Sequence, residues 1–233
     1  MITSKENEKL KLIRKLSERK WREREGLFVA EGEDLVDAAE RAGAPPRFVL
    51  RAGVDVEPQL LDEVSALGSG TRVIGVYERV SSTASAGLCL YLHAVGDPGN
   101  VGAIVRTADA LVDAVVILGP GCADAYSPKA VRASMGSIFS VAVRPGELAQ
   151  TPAPVVGLVA RGGVAPDDGP VGTLCLGAER DGLPGEIVDR CERLWTIPLR
   201  ERGAESLNVA AAAAIALGRI SSAALRPGDP IDA

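Results

Sequence analysis

Six short apolar runs, Cys89–Ala94, Ala114–Leu118, Ser140–Val143, Val155–Leu158, Thr173–Leu176 and Leu194–Ile197, follow one another through the chain from residue 89 onward. Continuous apolar runs of this length suit strands buried on both faces, which is the habit of a parallel sheet covered by helices. Helical stretches are expected between the runs. A last helix, Asn208–Ala224, holds five consecutive alanines, small enough to pack closely on a sheet or another helix. The fold class is therefore α/β, with a parallel sheet in this half.

The first 80 residues read as a separate, smaller α/β unit. Leu27–Ala30, Phe48–Leu50 and Val73–Val76 are strand-like, and Gly32–Ala42 and Glu57–Leu67 are helical. Residues 81–88 are small and polar, as a linker would be, so the boundary falls there. The larger unit then spans 89–226, with a frayed tail at 227–233. At 233 residues and 46% hydrophobic content the chain has material for both cores and is not disordered.

Charge is unevenly spread. Residues 1–25 carry nine Lys/Arg against five Glu, a local +4, whereas the whole chain sums to −5 and the rest therefore to −9. Leu10, Ile13 and Leu16, with Trp21 beyond, recur every three to five positions and predict one buried helical face. The basic residues take the remaining surface, either as a solvated face or as one turned to RNA. The acidic total argues against a protein that coats nucleic acid by charge alone. No run approaches the ~20 apolar residues of a membrane span, and the start is charged where a leader peptide is apolar, so a cytoplasmic location is expected. Cys89, Cys122, Cys175 and Cys191 are spaced 33, 53 and 16 apart, which suits neither a metal knuckle nor a CxxC pair. They read as free, mostly buried thiols.

Three segments carry chemistry. In the first, a strand end at His93 passes through Gly-Asp-Pro-Gly-Asn into a helix, with Asn100 in its first turn and Arg106 in its second. Its glycines at 96, 99 and 102 match neither a dinucleotide fingerprint nor a P-loop. His93 itself reads as a satisfied strand-end histidine. In the second, Ser127-Pro128 opens a helix that carries Lys129 and Arg132, and Gly136 marks an end where something approaches closely. In the third, two strand ends open into the loops Leu176-Gly177-Ala178-Glu179 and Ile197-Pro198-Leu199, followed by Ser206-Leu207-Asn208. Parallel-sheet enzymes bind ligands at such carboxyl ends.

In order and spacing these segments resemble the three motifs of the SpoU-type family of the SPOUT class, RNA ribose 2′-O-methyltransferases. The first 80 residues resemble, less specifically, that family's substrate-binding domain of the L30e fold, with Asn7, Arg22, Glu31 and Gly32 at its recurrent positions. The resemblance implies an α/β-knot domain with a C-terminal trefoil knot, a homodimer with an active site shared between subunits, and S-adenosylmethionine as cofactor with no metal. It assigns the cofactor to Leu176, Gly177, Ile197, Leu199, Ser206 and Leu207. It assigns the chemistry to Arg106, helped by Asn100, Glu179, Ser206 and Asn208. RNA contacts are expected from Arg14, Arg19, Lys20, Arg22 and Arg132. Arg180 departs from the glycine common after the glutamate and is expected to reshape that loop. Ribosomal RNA, 23S in particular, is the expected substrate; a tRNA enzyme of the same fold and a non-catalytic RNA-binding protein are the alternatives. No GxGxxG follows a strand, which disfavours a nicotinamide enzyme, and eight aromatics disfavour a module that works by base stacking.

Overall fold

A computed structural model describes residues 1–68, 70–80 and 87–224. The chain opens with two helices, α1 (Glu8–Leu16) and α2 (Arg19–Glu25), where a single apolar face had been expected. Asn7 caps α1 by accepting the Lys9 amide, and Leu10, Ile13 and Leu16 are buried. Then come β1 (Leu27–Glu31), α3 (Glu33–Arg41), β2 (Pro46–Arg51), α4 (Pro58–Asp62) and β3 (Val73–Glu78). The three strands form an antiparallel sheet in the order β1-β3-β2.

The helix expected over 57–67 stops at Asp62. The Glu31 carboxylate, 6% exposed, accepts the Ser65 hydroxyl at 2.6 Å and the amides of Ala66 and Leu67 at 2.9 and 3.3 Å. Asp62 accepts the amides of Gly70 and Thr71. Side-chain acceptors thus draw the backbone into turns where another helical turn would have satisfied it locally.

The second unit contains β4 (Leu88–Leu92), α5 (Pro98–Leu111), β5 (Ala114–Leu118), α6 (Pro128–Ala133), β6 (Val143–Pro145), β7 (Val155–Leu158), β8 (Thr173–Leu176), α7 (Gly185–Val188), β9 (Arg193–Trp195) and α8 (Val209–Ala224). Its six strands pair in parallel in the order β6-β5-β4-β8-β7-β9, so all their carboxyl ends lie along one edge. Helices α5 and α8 pack together over one face, through Val101, Ile104, Val105 and Ala108 on α5 and Ala213, Ala216 and Leu217 on α8.

Three of the apolar runs and one expected helix are placed differently: the run at 194–197 is β9, which begins at Arg193 and ends at Trp195. The run at 140–143 is a strand only from Val143, because Ser137–Phe139 forms a single 3-10 turn after Gly136. The first run is β4 from Leu88 and ends at Leu92, since Ala94 takes a left-handed φ of 53°. No helix joins β7 to β8; glycines 162, 163 and 169 and prolines 166 and 170 break the intervening chain.

One hydrophobic cluster spans the two units, beside a second that belongs to the N-terminal unit alone. Phe28 of β1 and Tyr77 of β3 meet Tyr126 and Phe139 of the larger unit with ring centroids 5.1 and 4.9 Å apart, respectively. Gly136, at φ 99°, lies where a Cβ would strike Ala38 of α3; the close approach expected at this glycine is made by the N-terminal unit. Residues 81–86 of the expected linker, and the expected tail, lie outside the described residues. All four cysteines are free, Cys89 and Cys175 buried and Cys122 and Cys191 partly so; burial pushes the Cys89 thiol up to about 11.

Candidate active site

At the carboxyl edge, three loops from distant parts of the sequence converge on Asn100. Asp97 ends the loop after β4 and caps α5, accepting the Asn100 amide at 3.1 Å. The Asn100 side chain donates to Glu179 Oε1 at 2.7 Å and accepts from Asn208 Nδ2 at 3.0 Å. Asn208 in turn caps α8, its Oδ1 accepting the amides of Ala210 and Ala211 at 2.9 and 3.3 Å. A single side-chain amide therefore ties the loop after β8 to the starts of α5 and α8. Asp97 also pairs with Lys129 of α6 at 2.7 Å, and that ammonium, hydrogen-bonded to it, holds its carboxyl below the usual carboxylate range.

Beside this chain lies a cleft lined by all six residues that the resemblance assigns to the cofactor: Leu176, Gly177, Ile197, Leu199, Ser206 and Leu207. Glu179 and Arg180 stand in its wall as well. Leu158–Ala160, after β7, complete it; sequence reasoning did not single these out, although they too follow a strand's carboxyl end. Leu199 and Leu207 are 39% and 36% exposed, an apolar rim of the kind that a ligand or partner covers. The loop after β8 is closed on itself by reciprocal backbone hydrogen bonds between Ala178 and Gly182, at 3.1 and 3.0 Å. Gly177 lies so near the Gly182 backbone that any Cβ would collide with it. Arg180 does not take a left-handed φ, so this position makes no demand for glycine and the loop closes around the arginine.

The other expected residues are placed differently. Arg106 is exposed on α5, and its side chain makes no hydrogen bond or ion pair among the described residues. Six residues of helix carry it about 9 Å along the axis and roughly 120° around from Asn100, so it does not join the Asn100 chain. Ser206 lines the cleft without a side-chain hydrogen bond among the described residues. The Nδ1 of His93 is buried and unpartnered among them, contrary to the satisfied histidine expected.

Among the expected RNA contacts, Arg14, Arg19, Lys20 and Arg132 are on or near the surface. Arg22 is not. It is 4% exposed, pairs with Asp124 at 2.7 Å and donates to the carbonyls of Leu16 and Ser17, both at 2.7 Å. Its charge is spent inside the protein, fastening α2 to the loop after β5.

Comparison with known proteins agrees with this architecture. The family profile described as "SpoU rRNA Methylase family" matches residues 87–153 and 168–218, and that of the "MRM3-like substrate binding domain" matches residues 7–87. The 23S rRNA (guanosine(2553)-2′-O)-methyltransferase RlmP of Bacillus subtilis is 31% identical, over 92% of this chain and 96% of its own length. The 23S rRNA (uridine(2479)-2′-O)-methyltransferase of Streptomyces viridochromogenes is 34% identical over 77% of this chain and 61% of its own. Among solved structures, an AdoMet-bound rRNA methyltransferase from Sinorhizobium meliloti superposes with a TM-score of 0.83 at 28% identity, covering 97% of this chain and 98% of that one. AviRb from Streptomyces viridochromogenes, in complex with AdoMet, does so with a TM-score of 0.78 at 27% identity, over 93% of this chain and 97% of that one. The chain belongs to the SpoU rRNA methylase family.

Proposed function

We propose that this protein transfers a methyl group from S-adenosylmethionine to a ribose 2′-OH of 23S ribosomal RNA, as a cytoplasmic homodimer. The Asn100–Glu179–Asn208 chain carries the proposal: three loops of separate origin are fastened together at the lip of one apolar cleft. The threading of the C-terminal segment into a trefoil belongs to the same reading. Among the described residues no helix is long and apolar enough to cross a membrane.

The cleft fits the cofactor by its chemistry. Leu176, Ile197, Leu199 and Leu207 offer apolar walls for a flat heterocycle, and its polar edge is left to backbone groups of the loops that line the cleft. When bound, S-adenosylmethionine supplies a methyl group already activated by a sulfonium. What remains for the protein is to hold a 2′-OH in line, exclude water and accommodate the departing proton.

Arg106 serves the ribose. A guanidinium keeps its proton at neutral pH, so its part is to hold the nucleotide's phosphate and stabilise negative charge growing on the 2′ oxygen. Its exposure, and its distance from Asn100 along and around α5, support a site completed by a second copy of the chain. Glu179 and Asn208, joined through Asn100, fix the loops that frame the ribose.

Two measurements test this. An rRNA fragment with a single 2′-deoxy target nucleotide is expected to accept no methyl group while still binding; methylation of that fragment would identify a base as the acceptor. Gly177→Ala is expected to weaken S-adenosylmethionine binding about tenfold or more, since overpacking against backbone costs about 1–3 kcal/mol. Calorimetric titration checks this, and affinity equal to wild type would remove the cofactor from this cleft.

A further inference from the structure

The residues around Trp21 form a feature that the methyl-transfer reading does not use. Trp21 is the sole aromatic in residues 1–25 and had been expected on the buried face with Leu10, Ile13 and Leu16. Those three are at most 2% exposed, whereas Trp21 is only half-buried. Three cations surround its ring: Lys15 Nζ and Arg24 Cζ at 5.2 Å from the centroid, and Lys20 Nζ at 5.8 Å. From Arg14 to Arg24 the chain has six Lys/Arg against two Glu; with Arg22 neutralised by Asp124 the stretch keeps a net +3, Lys20 being paired with Glu18 at 2.7 Å and Arg24 lying 3.8 Å from Glu25.

The platform is also fixed. Arg22, on another side of the same helix, is locked to Asp124. Asp124 lies in the loop after β5, on the carboxyl edge that also carries Asn100 and Glu179. Of the eight aromatics, Phe28, Tyr77, Tyr91, Tyr126, Phe139 and Trp195 are buried. Phe48 is half-buried like Trp21, but it packs against the N-terminal core and has a single cation, Lys9, over its ring at 5.2 Å, whereas Trp21 has three.

A half-open indole ringed by cations suits a ligand that presents a flat aromatic group between negative charges, which describes a nucleotide within single-stranded RNA. We propose that Trp21 stacks an unpaired base of the substrate RNA, near the target nucleotide, while Lys15, Lys20 and Arg24 neutralise the flanking phosphates. The exposed cation–π contacts are individually weaker than a stacked base, so the cations can leave the ring for phosphates as the base arrives. This inference rests on the RNA-methylating reading, and a single stacking position is compatible with an aromatic content too low for a module that works by base stacking.

The test uses the full chain and its own fluorescence. The protein has two tryptophans, and Trp195 is fully buried, so a change in indole emission on titration with single-stranded oligoadenylate reports on Trp21. Quenching is expected for wild type and not for Trp21→Phe, which keeps most of the affinity. Trp21→Ala is expected to bind roughly 5- to 100-fold more weakly. Lys20→Ala and Arg24→Ala should each flatten the dependence of log affinity on log salt by about 0.7. S-adenosylmethionine binding should be unchanged in all four variants. Oligoadenylate binding without quenching, or wild-type affinity in Trp21→Ala, overturns the proposal. Quenching by phosphatidylserine vesicles but not by RNA would also overturn it and assign the patch to a membrane surface. Methylation of ribosomal RNA by the wild-type protein is scored separately: its absence defeats the functional reading, whereas its presence with an indifferent Trp21 defeats this inference alone.

Discussion

Arg106→Ala is expected to lower methyl transfer by about 10²- to 10³-fold, the usual loss when a preorganised donor to developing oxyanion charge is removed. Cofactor affinity should hardly change, because Arg106 does not line the cleft. The arginine side chain makes no internal hydrogen bond or ion pair among the described residues, so removing it leaves no buried partner stranded, and the melting temperature should stay within about 1–2 °C of wild type. Arg106→Lys keeps the charge but not the planar fork, and should recover only part of the rate. Single-turnover kinetics with saturating cofactor give the comparison. Near-wild-type turnover in Arg106→Ala would show that another group serves the ribose.

Arg22→Met should have the largest effect on stability. It strands the Asp124 carboxylate, 12% exposed, and leaves the Leu16 and Ser17 carbonyls without their donor. Breaking such a buried pair from one side costs about 3–5 kcal/mol, which at this chain length corresponds to a Tm roughly 10 °C lower. Replacing both partners, as Arg22→Met with Asp124→Leu, should restore the part of the loss that comes from a charge buried alone, while the Leu16 and Ser17 carbonyls still lack a donor and the Tyr126 amide loses its acceptor. Thermal melts of the two single variants and the double variant decide it. A surface arginine engaged only with RNA would leave the melt unmoved.

Strands are legible in the sequence where local composition dictates the outcome. The runs at 114–118, 155–158 and 173–176 match β5, β7 and β8 residue for residue, because nothing in them but Val, Ile, Leu, Ala, Gly, Cys and Thr competes with a strand buried on both faces. That Leu176, Gly177, Ile197, Leu199, Ser206 and Leu207 line one cleft followed from their positions after strands or before a helix. Less legible was whatever depends on a distant partner. Arg22 looks like its exposed basic neighbours until Asp124, 102 residues away, is placed beside it. Glu31 gives no sign in the sequence that it ends α4 early by accepting the Ala66 and Leu67 amides. The shared core was hidden for the same reason: Phe28 and Tyr77 seem to belong to a small independent domain until Tyr126 and Phe139 meet them. At the site, only the fold shows that Asn100 hydrogen-bonds both Glu179 and Asn208, 79 and 108 residues further on.

The most direct measurement follows the methyl group itself. Purified protein would be incubated with methyl-labelled S-adenosylmethionine and, in parallel, with 23S rRNA from cells lacking the gene and with total tRNA. Each RNA would then be hydrolysed in alkali. Label is expected in 23S rRNA, recovered in an alkali-stable dinucleotide because a 2′-O-methyl group removes the hydroxyl that attacks the neighbouring phosphodiester. Label in a single mononucleotide, in tRNA only, or in neither RNA would contradict the proposed function.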